Sequence, residues 1–175
     1  MKNLHIIIAI ICILAAYKWG DWRNWQKYHT TILFFSLGNL LYVYLTAGCY
    51  LWRLTQSILP SPALTEFLYT FIVFPATILL FLGNFPQSKW DRVLHVLKWI
   101  LIYSAVEYLF TVTGNVEYQN GWSLYWSILF NVVMFPILAI HHKRPLLAYL
   151  LSAPVCIFVL WFFDIPINIP IEDRN

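Results

Sequence analysis

Six apolar runs alternate with short polar turns along almost the whole 175-residue chain: Leu4 to Trp19, Thr31 to Trp52, Ala63 to Phe85, Val93 to Thr113, Trp122 to Ile140 and Leu146 to Phe163. A helix needs about 20 apolar residues to cross the hydrocarbon core of a bilayer. The pattern therefore predicts membrane spans, the first and last runs being short for the purpose. Lipid offers no partner to backbone N–H and C=O groups, so a spanning segment must be a helix or part of a closed barrel. These runs lack the apolar-polar alternation of barrel strands. The expectation is an all-α fold, a polytopic transmembrane bundle of six helices with short connecting turns. It forms one integral membrane domain over residues 1–175, with helices at about 4–19, 31–52, 63–85, 93–113, 122–140 and 146–163. Leu4 to Trp19 has only Lys2 before it and ends in Tyr17-Lys18-Trp19-Gly20-Asp21 rather than a small-residue cleavage site, so it reads as a helix and not a secretory signal.

Composition sharpens this picture. Hydrophobic residues make up 61% of the chain and charged residues 11%, with a mean hydropathy of +0.67, against about 25% charged in ordinary soluble domains. A water-soluble globule is excluded, and the turns are too short to hold a soluble domain. Any site must then be built from helices and their ends. The net charge of +3 says little, but its distribution says more. Lys18, Arg23, Lys27, Lys89, Arg92, Lys98, Lys143 and Arg144 follow the odd-numbered runs or open the fourth. The opposite side has only Lys2, Arg53 and Arg174. By the positive-inside rule the basic turns face the cytoplasm and both termini lie outside a multi-pass bacterial cytoplasmic membrane protein. Trp19, Trp22, Trp25, Trp52, Trp90, Trp122 and Trp161 fall at or near the boundaries, where an amphipathic indole prefers to sit. Cys12, Cys49 and Cys156 sit inside apolar runs without metal or redox spacing and read as small core side chains.

Four polar constellations stand out. In Lys18-Trp19-Gly20-Asp21-Trp22-Arg23-Asn24-Trp25-Gln26-Lys27, three tryptophans at three-residue spacing line one side of a short helix, with Lys18, Arg23 and Lys27 open to anionic headgroups. This is a lipid or partner docking segment, or an ordinary aromatic and basic anchor. Glu107 stands in the apolar fourth run, where an unpaired carboxylate is expensive. Its depth below the outer boundary, roughly 9 Å at ~1.5 Å per residue, is compatible with Asn131 on the fifth run at roughly 13 Å. A contact between Glu107 and Asn131, with Ser104 on the same face, would make a ligand site; the plainer alternative is a structural interhelical hydrogen bond. Asn39 is a polar point in the second run that reads as helix glue before it reads as a ligand, since Ser36 and Gly38 nearby would permit close backbone approach. His141-His142-Lys143-Arg144 reads as a basic anchor with Lys143 and Arg144 at the headgroups; adjacent histidines diverge by about 100° and form no i, i+4 chelate. The Phe-Pro steps Phe74-Pro75 and Phe135-Pro136 hint at an internal repeat, but their surroundings differ. Pro75, Pro136 and Pro154 each remove one helical hydrogen bond.

The string Lys18-Trp19-Gly20-Asp21-Trp22-Arg23-Asn24-Trp25, followed by Thr31-Ile32-Leu33-Phe34-Phe35 and Gly38, resembles a family of small uncharacterised membrane proteins from spore-forming Gram-positive bacteria. The resemblance runs through most of the chain and implies a bacterial cytoplasmic membrane location, with no activity to carry over. Where that family's pattern leads one to expect an acidic residue, this chain has Asn39, which weakens a proton-carrier role there. No P-loop, HExxH, GxSxG, CxxC or glycine-rich nucleotide fingerprint occurs. The expected function is non-enzymatic binding of membrane lipids, a small amphiphile or a membrane protein partner, with no metal, cofactor or nucleic acid. The rivals are a transporter, or its substrate-binding subunit, and a lipid-acting enzyme using Glu107.

Overall fold

The computed structural model describes residues 3–55, 59 and 61–174; Lys2, counted above on the outer side, lies outside them. The apolar runs fold as helices: α1 (Leu4–Trp19), α2 (His29–Leu45), α3 (Pro62–Leu68), α4 (Phe74–Gly83), α5 (Lys89–Val112), α6 (Leu124–Lys143) and α7 (Pro145–Phe162). A π-helical turn, Tyr69–Val73, joins α3 to α4 in one continuous rod. Four rods are long and apolar enough to cross a membrane: Pro62–Gly83, Lys89–Val112, Leu124–Lys143 and Pro145–Phe162. The two remaining apolar helices, α1 and α2, are shorter, at 16 and 17 residues. The protein is thus all-α, with the helix lengths and composition of a membrane protein. Its outside agrees. Leu101, Leu150 and Ile157 are 68%, 72% and 66% exposed in the middle of their helices, an apolar surface that water would not tolerate over this extent.

The second apolar run is where helix and hydrophobicity part company. Residues 31–52 are predominantly apolar, yet α2 stops at Leu45. Thr46 Oγ1 donates back to the Tyr42 carbonyl at 2.8 Å, and Gly48 turns the chain at φ +80°. The chain then lies across the end of the bundle as β1 (Trp52–Leu54), pairing antiparallel with β2 (Val116–Tyr118) in the register Trp52↔Tyr118, Arg53↔Glu117, Leu54↔Val116. Tyr42 fastens it: the hydroxyl accepts from Leu51 N and Trp52 N, donates to the Trp52 carbonyl at 2.6 Å, and the ring stacks on Trp52 with centroids 3.7 Å apart. At the same end the Arg174 guanidinium donates to the Leu45 carbonyl at 2.7 Å, filling one of the carbonyls that a helix C-terminus leaves open.

The opposite end collects the basic turns. Between α1 and α2 the Trp-rich string forms a 3-10 turn, Trp22–Lys27. Asn24 departs from helical geometry, at φ −107° and ψ 29°, so the chain kinks between Trp22 and Trp25. Asp21 organises it: its carboxylate accepts from Asn24 Nδ2 and from the Tyr28 hydroxyl, both at 2.7 Å. Its backbone N–H donates to the Leu79 carbonyl of α4. Gly83 makes that approach feasible, since a Cβ there would lie 2.9 Å from Asp21 Cβ. Beneath, Tyr28, Phe81, Leu82, Trp99, Phe135 and Leu138 form a packed core. Pro75 is accommodated by the π turn just before it, where the Phe74 N–H bonds five residues back to the Tyr69 carbonyl, a widening that such helix interruptions commonly use. Pro136 and Pro154 lie inside unbroken helices.

Candidate functional site

Two hollows flank α6. The larger, about 760 Å³, is a groove between α2 and α7 with α6 at its back. Leu37, Leu41, Ile137, Ala153, Val155 and Val159 are among its walls, and its few polar points include Asn39, Thr46 and Ser152. It lies open on the side because α2 and α7 both pack on α6. Gly38 lines it, and a Cβ built there would meet nothing within 4 Å. The expectation that Gly38 lets two backbones approach closely is corrected by this open space. The close contact belongs to Ser36, whose hydroxyl donates to the Thr70 carbonyl at 2.9 Å.

The smaller hollow, about 340 Å³, lies between α1, α4, α5 and α6 beneath the β1–β2 ladder; the exposed Ile11 of α1 and Ile102 of α5 are part of its lining, so this inner cavity also opens to the side. Phe35, Trp52, Phe130 and Met134 line both hollows and form the wall between them. Into the inner cavity α5 brings Glu107, and α6 brings Ser127 and Asn131 four residues apart, hence on one face. The Tyr118 hydroxyl donates to Glu107 Oε1 at 2.8 Å, and the Ser127 hydroxyl lies near that carboxylate. Ser127 Oγ in turn accepts from Trp122 Nε1 at 2.8 Å. Asn131 is 4% exposed and its Nδ2 has no protein partner; Trp99 Nε1 is also buried without one. Such groups normally find partners, so both are open donors.

Glu107 and Asn131 thus line one cavity, but Asn131 is not the partner of the carboxylate. The physical reason is the β2 strand, which brings the Tyr118 hydroxyl down to Glu107 from above. Ser104 is half-buried, its hydroxyl oxygen is buried and unpaired, and it is not among the lining residues. Asn39 Nδ2 donates to Thr70 Oγ1 at 3.1 Å and to Glu66 Oε2 at 3.3 Å, tying α2 to the α3 rod while also facing the groove.

Glu66 is a functional-looking residue that sequence reasoning missed: a second carboxylate inside an apolar run, whose other partner is the backbone N–H of Leu54. Its signal was the same as that of Glu107, an acid among apolar neighbours. His5, fully buried with Nδ1 3.0 Å from the Tyr69 hydroxyl, was missed as well.

At the basic end Trp19, Trp22 and Trp25 are exposed, with Lys18 over the Trp19 ring and Arg23 over the Trp22 ring at 4.8 and 5.1 Å. Lys27, Lys143 and Arg144 are exposed too. The Tyr28 hydroxyl and the Asn24 amide hold the Asp21 carboxyl below its ordinary range. Burial and the neighbouring Asp21 push the Tyr28 phenol up to about 12. Across the ladder at the other end Arg53 pairs with Glu117 at 2.7 Å and holds that carboxyl low. Among the described residues no group of three or more His, Cys, Asp or Glu side chains is placed to hold a metal ion.

The fold and its hollows define a class: a small all-α membrane-type protein with a lateral apolar groove and an inner cavity carrying one carboxylate. Comparison of the chain with protein-family models, with curated proteins and with solved structures finds no match. The geometry alone supports a functional reading.

Proposed function

We infer that this is a six-span protein of a bacterial cytoplasmic membrane that binds a lipid, or an amphiphile with a lipid-like tail, without transforming it. The observation that carries this reading is the groove between α2 and α7, about 760 Å³ of apolar, side-opening space along α6 and α7, two helices of membrane length. An acyl chain fits its chemistry: methylene groups gain contact with Leu, Val, Ile and aromatic walls that the helices leave without a partner. Orientation follows from charge. The turns with Lys18, Arg23, Lys27, Lys89, Lys143 and Arg144 face the cytoplasm and the β1–β2 ladder faces outward. The exposed Trp22 and Trp25, with Arg23 and Lys27 beside them, meet anionic headgroups.

Cys156 lines the groove and Cys12 the inner cavity, so the chain carries a reporter in each. In a Cys12→Ser, Cys49→Ser background, a hydrophobic maleimide should modify Cys156 slowly in protein purified with its lipids and several times faster after delipidation. Equal rates would contradict occupation of the groove. A second reading, capture of a small polar molecule for transport, draws on the inner cavity with its open donors on Asn131 and Trp99.

A further inference from the structure

We propose that the inner cavity is a binding site for a small organic monocation, a protonated amine on a compact apolar body, with Glu107 as the counter-charge. This site is distinct from the groove and stands whether or not the groove holds lipid. The carboxylate comes first. Glu107 faces the cavity with two neutral hydroxyl neighbours, Tyr118 and Ser127, and among the described residues no Lys, Arg or His lines the space around it. A carboxylate at membrane depth calls for a counter-charge, a proton or a polar cavity. Here the lining is almost wholly apolar and sets only hydroxyls beside the carboxylate, which leaves the counter-charge to be brought in.

The walls select the kind of cation. Nine of the lining side chains are aromatic, among them Trp52, Trp99, Trp122, Tyr69 and Phe130. Aromatic faces attract an alkylammonium through the ring quadrupole, and more strongly where water is excluded. A hydrated metal ion would find one carboxylate and few other oxygens, whereas an amine on an apolar body finds both of its halves accommodated. Asn131 Nδ2 and Trp99 Nε1 add two buried donors without partners, so an acceptor on the ligand, a carbonyl or ether oxygen, would gain hydrogen bonds that the empty protein lacks. Size follows from volume. At about 30 Å³ of liquid volume per water-sized heavy atom, 340 Å³ admits roughly eleven heavy atoms. This is an arylalkylamine rather than a phospholipid.

The test uses full-length protein in mild detergent and two probes of the same shape, 2-phenylethylammonium and neutral 2-phenylethanol, with 2-phenylacetate as the anionic control. Binding is read by calorimetry and by the change in tryptophan fluorescence. The ammonium should bind at least tenfold more tightly than the alcohol, and the acetate should not bind. Glu107→Gln, whose amide oxygen still accepts from Tyr118, should bring ammonium and alcohol to equal affinity. In a Cys49→Ser, Cys156→Ser background the ammonium should slow alkylation of Cys12. Gly38→Phe, which fills the groove, should leave ammonium affinity unchanged, so failure of the groove reading and failure of this one are separable. No binding of the ammonium, equal binding of the alcohol to wild type, or protection of Cys156 in the Cys12→Ser, Cys49→Ser protein with none of Cys12 in its own background would each overturn the proposal. The comparison of charged and neutral probes needs no variant to fold.

Discussion

Replacing Asn131 with Leu should make the empty protein more stable and its inner cavity less able to bind. The Asn131 amide is 4% exposed, and its Nδ2 has no protein partner. A buried donor left without an acceptor costs about 1 to 3 kcal/mol in soluble proteins. Polar interactions between membrane helices are worth less, about 0.6 kcal/mol on average, because the membrane-unfolded state also finds partners. Leu has a similar volume and no polar atom, so a gain of about 0.5 to 2 kcal/mol is reasonable on these bounds. At about 2 to 4 °C per kcal/mol for a chain of this size, the midpoint should rise by roughly 1 to 8 °C. Tryptophan fluorescence during a thermal ramp in detergent reads it directly. The same variant should bind acceptor-bearing amines more weakly, since a donor has gone. A fall in the midpoint of more than about 2 °C would refute the reasoning, because it would mean that the amide already holds a partner essential to the fold.

Asp21→Ala should lower stability by about 1 to 2 kcal/mol, less than two buried charge-assisted bonds would give because the site is near water. The Asp21 carboxyl is held below its ordinary range in the fold, so its contribution is complete above the unfolded value and fades as pH falls through the lower folded value; the gap in midpoint between wild type and variant should close on acidification, and a gap constant to pH 2 would refute the assignment. In the proposed orientation Lys89 is inside and Gln119 outside: an impermeant thiol reagent on intact cells should label Gln119→Cys and spare Lys89→Cys in a cysteine-free background, and the reverse would invert the topology. Removing both headgroup cations in the Arg23→Gln, Lys27→Gln double variant should weaken binding to anionic vesicles by on the order of 1 kcal/mol per charge, an effect that shrinks at high salt; unchanged binding would make the segment a packing device alone.

The helical architecture was legible because lipid leaves an apolar run few choices. Five of the six runs end within a few residues of the observed helices; the exception, 31–52, shows the limit. Hydrophobicity continues through Leu51 and Trp52, but the helix stop is written in Thr46 and Gly48, and the apolar residues beyond it are buried by Tyr42 and the ladder rather than by lipid. The ladder itself could not be read, because β1 and β2 are three residues each and lie sixty residues apart. That omission explains the error at the site. Glu107 and Asn131 were singled out correctly as residues facing inward, but the partner of the carboxylate comes from β2, an element that the apolar pattern does not announce. In the Trp-rich string, the tryptophans and cations suggested the interface, while Asp21 gave no sign that it holds a tertiary junction against Leu79 and Gly83.

Lipid occupation of the groove is the central claim, and native mass spectrometry tests it most directly. Wild-type protein released gently from a mild detergent should carry one lipid that survives dissociation of the micelle. Gly38→Phe places a ring in space where no atom lies within 4 Å of the added Cβ, so the fold should persist while the groove fills. That variant should fly without the lipid. Equal retention by a folded Gly38→Phe protein, or a wild-type protein that carries none, would contradict the account.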